Sequence, residues 1–122
     1  MTTGVILFAH GSRVESANDA VRAVAADLAR AGSFAVVEAA FLELGRPDLE
    51  EAVARLAAAG VSQVIIIPYF LTLGLHMERD LPPMVEKLSR AHPGMNLRVA
   101  APLDGHPAMI QILLDRAAEA CR

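Results

Sequence analysis

Four times along the chain, a short apolar run gives way to a stretch whose apolar residues recur with helical spacing. The strand-like runs lie at about 4–9, 35–42, 63–69 and 97–101, so the order reads βαβαβαβα. A helix between every pair of strands is the connection that parallel strands need. The runs VILFA (5–9) and VIIIP (64–68) are apolar at every position but the last proline, as strands covered on both faces must be. The expected fold class is α/β: a four-stranded parallel sheet with helices on both faces, in one domain spanning 1–122.

Local punctuation sets the expected helix limits. In the first helix Val21, Val24, Ala25 and Leu28 share a face, and Gly32 stands where a left-handed cap belongs. The second is expected to carry Pro47 in its first turn, followed by Asp48, Glu50 and Glu51 at the positive end, and to stop at Gly60. The third is expected to open at Pro82 and Pro83 with Asp80 as N-cap, and to end at Pro93-Gly94. Pro107 opens the fourth.

Composition excludes several classes. The chain is 54% hydrophobic, but charge, Gly or Pro interrupts each apolar run well before the ~20 residues a bilayer crossing takes, so no membrane is expected. Ten of the eleven basic residues are arginine, the net charge is −3 and there are five aromatic residues. With no basic run and few stacking platforms, no nucleic acid is expected as partner. Single arginines remain suited to reading carboxylates, which they grip with two parallel bonds. With a strand starting almost at the first residue and no basic leader or cleavage-like site before it, no export is expected, and the one cysteine, Cys121, cannot pair internally. A soluble protein of the cytoplasm, a reducing compartment, is expected. At 122 residues one domain can bury a core but is small for enclosing a large ligand alone, which leaves room for a partner subunit.

Open parallel sheets bind ligands beyond the carboxyl ends of their strands. His10 ends the first strand, Glu43 follows the second, His76 lies in the loop after the third, and Asp104 and His106 lie after the fourth. All open on one edge. Gly11 and Gly74, beside the two histidines, let backbone approach a ligand. His92 falls on the opposite edge and reads as a solvated helix-end residue; His106 reads as a supporting residue, and Asp80 and Glu78 as complements to a helix dipole. Two imidazoles and a carboxylate suit a borderline divalent metal such as Co, Ni, Fe or Zn over Mg or Ca.

These residues lie within four motifs: HGSR (10–13), AFLELGRPDLEEAV (40–53), PYFLTLGLHMERDLP (68–82) and APLDGHP (101–107). Together, and in this order, they resemble the small, single-domain sirohydrochlorin cobaltochelatases and ferrochelatases of the type II (ATP-independent) tetrapyrrole chelatase superfamily. The third motif is the most specific, and its departures, Met77 and Leu81, are conservative. The resemblance implies a chelatase-like, flavodoxin-like half-domain that pairs as a homodimer, since larger members carry two such halves. It places the metal-handling and catalytic roles on His10 and His76, with Glu43 as the assisting carboxylate. It implies sirohydrochlorin as the tetrapyrrole partner and no permanent cofactor. The divalent metal, cobalt, iron or nickel, is itself a substrate.

Insertion of a metal into a tetrapyrrole needs a desolvated ion and removal of two pyrrole protons. A neutral imidazole can hold the ion or accept a proton near neutral pH. Sirohydrochlorin is ringed by carboxylates, and Ser12, Arg13, Arg46 and Arg79 lie in loops where they could hold them. A nickel chelatase of the same superfamily and a metal carrier without catalysis are the alternatives that the residues leave open.

Overall fold

The computed structural model describes residues 2–122. In chain order the elements are β1 (Thr3–Ala9), α1 (Glu15–Ala31), β2 (Val36–Phe41), α2 (Leu49–Ala58), β3 (Gln63–Pro68), α3 (Leu75–Ala91), β4 (Asn96–Val99) and α4 (Ala108–Ala120). The four strands form one parallel sheet in the order β2-β1-β3-β4. From β1 the chain moves to one side for β2 and to the other for β3. The strand order therefore reverses beside β1, where a parallel sheet opens a crevice at its carboxyl edge.

β1 is the centre of the core. Ile6 and Phe8 point to the face covered by α2 and α3, where they meet Leu49, Ala52, Val53 and Leu56 of the one and Met77, Leu81, Val85 and Leu88 of the other. Leu7 and Ala9 point to the opposite face and pack with Ala39, Phe41 and Ala25 of α1. The expectation of helices on both faces is met. β3 differs from β1: Val64, Ile66 and Pro68 are buried, whereas Ile65 and Ile67, on the α1 face, are half-buried. α4 is exposed along its length except for half-buried Met109. Among the described residues, no helix is long and apolar enough to cross a membrane.

Three expectations about helix ends need correction. α3 begins at Leu75, not near Pro82, and runs through Pro82 and Pro83 with Gly74 as N-cap. Each interior proline costs about 3 kcal/mol. Burial of Met77, Leu81, Val85 and Leu88, a stripe along one face, contributes about 1.5–3 kcal/mol per side chain and wins. The carbonyls of Glu78 and Arg79, which the prolines leave without a helical donor, belong to exposed residues and can reach water. Asp80 is thus inside the helix and caps nothing.

α2 begins at Leu49, one residue after its cap. The Asp48 side chain accepts from the Glu51 N–H at 2.8 Å and the Asp48 N–H donates to Glu51 Oε1 at 3.3 Å, a reciprocal capping box. Pro47 therefore precedes the helix; its carbonyl accepts from the Phe41 N–H. Finally, Gly32 has φ −109° and ψ 179°, extended and not left-handed. What excludes a side chain there is packing, because a Cβ would stand 2.5 Å from the Phe34 ring. On α1, Val24 is 37% exposed, outside the stripe formed by Val21, Ala25 and Leu28.

Candidate active site

The β1–β2 ladder continues past both strand ends. Leu42 N–H donates to Ala9 O at 2.9 Å and Glu43 N–H donates to His10 O at 3.1 Å, which carries two chemically active side chains to the carboxyl edge side by side. His10 Nε2 lies 3.5 Å from Glu43 Oε1, and both side chains are 58% exposed. The other ring nitrogen, Nδ1, is 3.1 Å from the Gly11 carbonyl. A carbonyl can only accept, so this contact puts a proton on Nδ1, and when the ring is neutral it is the Nε2 lone pair that faces the carboxylate. Two electron-rich atoms facing each other at this range attract a cation between them. A histidine that donates its far N–H to a backbone carbonyl is oriented as metal-binding histidines commonly are.

Backbone geometry makes this approach possible. Gly11 has φ +95°, and a Cβ there would stand 1.7 Å from Glu43 O, so only glycine lets the two loops meet. Leu44, next to Glu43, also takes a left-handed conformation with φ 59°.

His76 lies in the first turn of α3 and not in a loop. It is exposed and its Nδ1 is 3.2 Å from Arg79 Nη2. A guanidinium can only donate, so Nδ1 accepts and Nε2 carries the proton when the ring is neutral. His76 and Arg79 share a shallow depression with Leu75 and Glu78. The structure thus pairs His10 with Glu43, and His76 with Arg79. Among the described residues, no group of three or more His, Cys, Asp or Glu side chains is placed to hold one ion; His10, Glu43 and His76 are not drawn together within this chain.

The expected carboxylate-binding residues divide. Arg79 stands beside His76, and Arg13 is exposed at the head of the loop after β1. Ser12 is engaged locally, its Oγ accepting from the Val14 N–H at 3.0 Å. Arg46 bonds Glu51 at 2.6 Å and lines a groove between α1 and α2 with Arg22 and Arg55, to which neither histidine contributes. His106 supports α4, its Nδ1 accepting from the Ala108 N–H at 3.0 Å. His92 is the C-cap residue of α3, on the far edge as expected.

One polar residue that sequence reasoning passed over stands behind the site. Asn18 is 1% exposed and bonds the loops after both β1 and β2. Its signal was an asparagine in register with Val21, Ala25 and Leu28 on the apolar side of α1. Beside it, Arg22 binds Glu15 at 2.6 Å and holds that carboxyl below its ordinary range, with a further contribution from Asn18.

Comparison with known proteins gives a consistent picture. The family model described as CbiX matches residues 4–120. A sirohydrochlorin cobaltochelatase of Sulfurisphaera tokodaii is 33% identical over 98% of this chain and 94% of that protein. One of Methanopyrus kandleri is 38% identical over 66% of this chain, and the match spans only 57% of that relative's length. The sirohydrochlorin chelatase SirB of Bacillus subtilis, solved in complex with cobalt, superposes with a TM-score of 0.89 at 22% identity, over 98% of this chain and 51% of that one; at that identity the likeness is one of fold.

Proposed function

The chain belongs to the CbiX family, and from that premise we propose that it is a sirohydrochlorin chelatase, inserting a divalent metal into sirohydrochlorin without ATP. Cobalt is the preferred metal, as the names of its relatives favour, with iron as the second. The observation that carries the reading is the His10–Glu43 pair, 3.5 Å apart with its imidazole oriented by the Gly11 carbonyl.

In this reading His10 Nε2 and Glu43 Oε1 receive the metal and replace part of its water shell. Two ligands leave most coordination positions open, so the ion can be passed on and is not trapped. Insertion breaks two pyrrole N–H bonds, forms four metal–nitrogen bonds and releases two protons. His76 takes one of them, and Glu43 takes the other once the metal has left its carboxylate. Its Nδ1 lone pair is covered by Arg79, and a substrate carboxylate that drew the guanidinium away would uncover it. Arg79 and Arg13 hold carboxylates of the macrocycle; Ser12 adds its hydroxyl proton, and Arg46 would contribute only by leaving Glu51.

The working unit in this reading is a homodimer of one-domain chains in the cytoplasm. Exposed Ile110, Ile112, Leu113 and Leu114 on α4 support pairing, as does the match of the whole chain to half of the cobalt-bound SirB chain. A second copy would add the wall that one sheet edge lacks. The test is anaerobic incubation with sirohydrochlorin and Co²⁺: absorbance should shift to the metallated product over many turnovers per chain. Metal binding with no change in the tetrapyrrole spectrum would mark a carrier and overturn the proposal.

A further inference from the structure

Asn18 is the one polar residue in the buried set of the described residues, and the mechanism above does not use it. It sits one turn into α1 and makes four contacts. Its Oδ1 accepts from the Ser12 N–H at 2.9 Å. Its Nδ2 donates to Ser12 O at 2.9 Å and to Leu44 O at 3.0 Å, with Glu15 Oε2 farther off at 3.3 Å. The amide orientation follows from its partners, since only an oxygen can face an N–H and only an NH₂ can face two carbonyls.

Ser12 is two residues past His10 and Leu44 is one past Glu43. One side chain therefore joins the loop that carries the imidazole to the loop that carries the carboxylate. Leu44 needs such a hold: a left-handed leucine with φ 59° is strained and persists only when its surroundings fix it. The neighbouring glycines fit the same construction. Gly11 packs on Glu43 O, and a Cβ on Gly45 would stand 3.1 Å from Asn18 Nδ2 and 2.9 Å from the Phe41 ring. A second tie comes from Arg22, whose Nη2 donates to Arg46 O at 2.8 Å while its guanidinium lies 5.1 Å from the Phe41 ring centre. Through Asn18 and Arg22 the first turns of α1 anchor both loops.

We infer that Asn18 is a positioning residue: its buried amide ties the β1–α1 loop to the β2–α2 loop and so sets the separation at which His10 and Glu43 receive a metal ion. The inference rests on the reading of that pair as the metal-receiving site. Asn18 itself touches neither substrate nor metal. It acts through geometry, which is where a displacement of an ångström is costly in rate.

The test is a double-mutant cycle of Asn18→Leu and Glu43→Gln, read by anaerobic Co²⁺ insertion into sirohydrochlorin and by thermal melts. Asn18→Leu should lower turnover roughly 5- to 10-fold in the parent, no more than the loss of the Glu43 charge itself, but less than ~2-fold when Glu43 is already Gln, because the separation it sets no longer matters. The Tm losses should simply add, which a purely structural role would produce in the rates as well. Equal fold-losses in both backgrounds would overturn the inference. Slow Glu43→Gln with parental Asn18→Leu would overturn it while leaving the site reading intact; parental rates in Glu43→Gln would remove the site reading and this inference with it. Should Asn18→Leu fail to fold, Asn18→Ser, which stays polar but cannot span Ser12 and Leu44, enters the same cycle. Failure of both to fold would assign Asn18 to folding alone and end the proposal.

Discussion

His10 Nε2 faces Glu43 Oε1 across 3.5 Å while the same ring, through Nδ1, is held at 3.1 Å by the carbonyl of Gly11. One imidazole is thereby oriented by backbone and aimed at a carboxylate. If the pair shares a metal ion, Glu43→Gln removes the negative charge but keeps the shape. Insertion should slow about 10-fold, less than a histidine loss, because the Gln carbonyl oxygen or a water can stand in for the carboxylate. Co²⁺ affinity measured by calorimetry should weaken in parallel. Unchanged affinity and rate would exclude the carboxylate from the site.

Gly11→Ala should do harm twice. Its Cβ would meet Glu43 O at 1.7 Å, and its φ of +95° suits no L side chain. We expect a loss of roughly 1–3 kcal/mol in a denaturant titration together with insertion slowed at least as much as by Glu43→Gln. A stable, active Gly11→Ala protein would show that the two loops need not meet.

The acid side of the stability profile should respond to Glu15. Its pKa is held below the ordinary 4.5 by Arg22 first and Asn18 second. A depressed carboxyl stabilises the fold fully above its unfolded value, and the gain is lost as pH falls through the folded value. Glu15→Gln should therefore melt lower than the parent above about pH 5, with the gap closing as pH falls below 4.5. A gap that is constant with pH would contradict this.

Pairing through α4 can be tested directly. Ile112 and Leu113, 48% and 59% exposed, lie outside both buried clusters of the core, so Ile112→Asp with Leu113→Asp should leave the fold intact. Sedimentation should then show a monomer where the parent shows a dimer, and specific activity should fall on dilution at higher concentration than in the parent. A parent that is monomeric and fully active would rule out the two-chain site.

The alternation of runs made the sheet legible, because parallel strands around a shared core need apolar residues at nearly every position, as in VILFA and VIIIP. The edge that carries His10 and Glu43 was legible for the same reason: strand ends are easy to see and loops leave from them. Helix starts were harder. Pro82 and Pro83 read as a beginning because local propensity favours that, whereas the stripe Met77, Leu81, Val85, Leu88 decides the matter through tertiary burial. The relation between His76 and the other two residues was not legible, since spacing along the chain does not say that α3 starts before His76 and turns it toward Arg79. Nor was Asn18, whose worth lies in two backbone carbonyls 26 residues and six residues away that no local pattern announces.

The central claim, that these histidines carry metal insertion, is tested most directly by anaerobic Co²⁺ insertion into sirohydrochlorin with His10→Ala and His76→Ala beside the parent. Both side chains are exposed, so melting should be nearly unchanged, within about 0.5 kcal/mol. The account predicts that each variant loses roughly 100-fold or more in turnover while keeping its fold. Near-parental rates in both would contradict it.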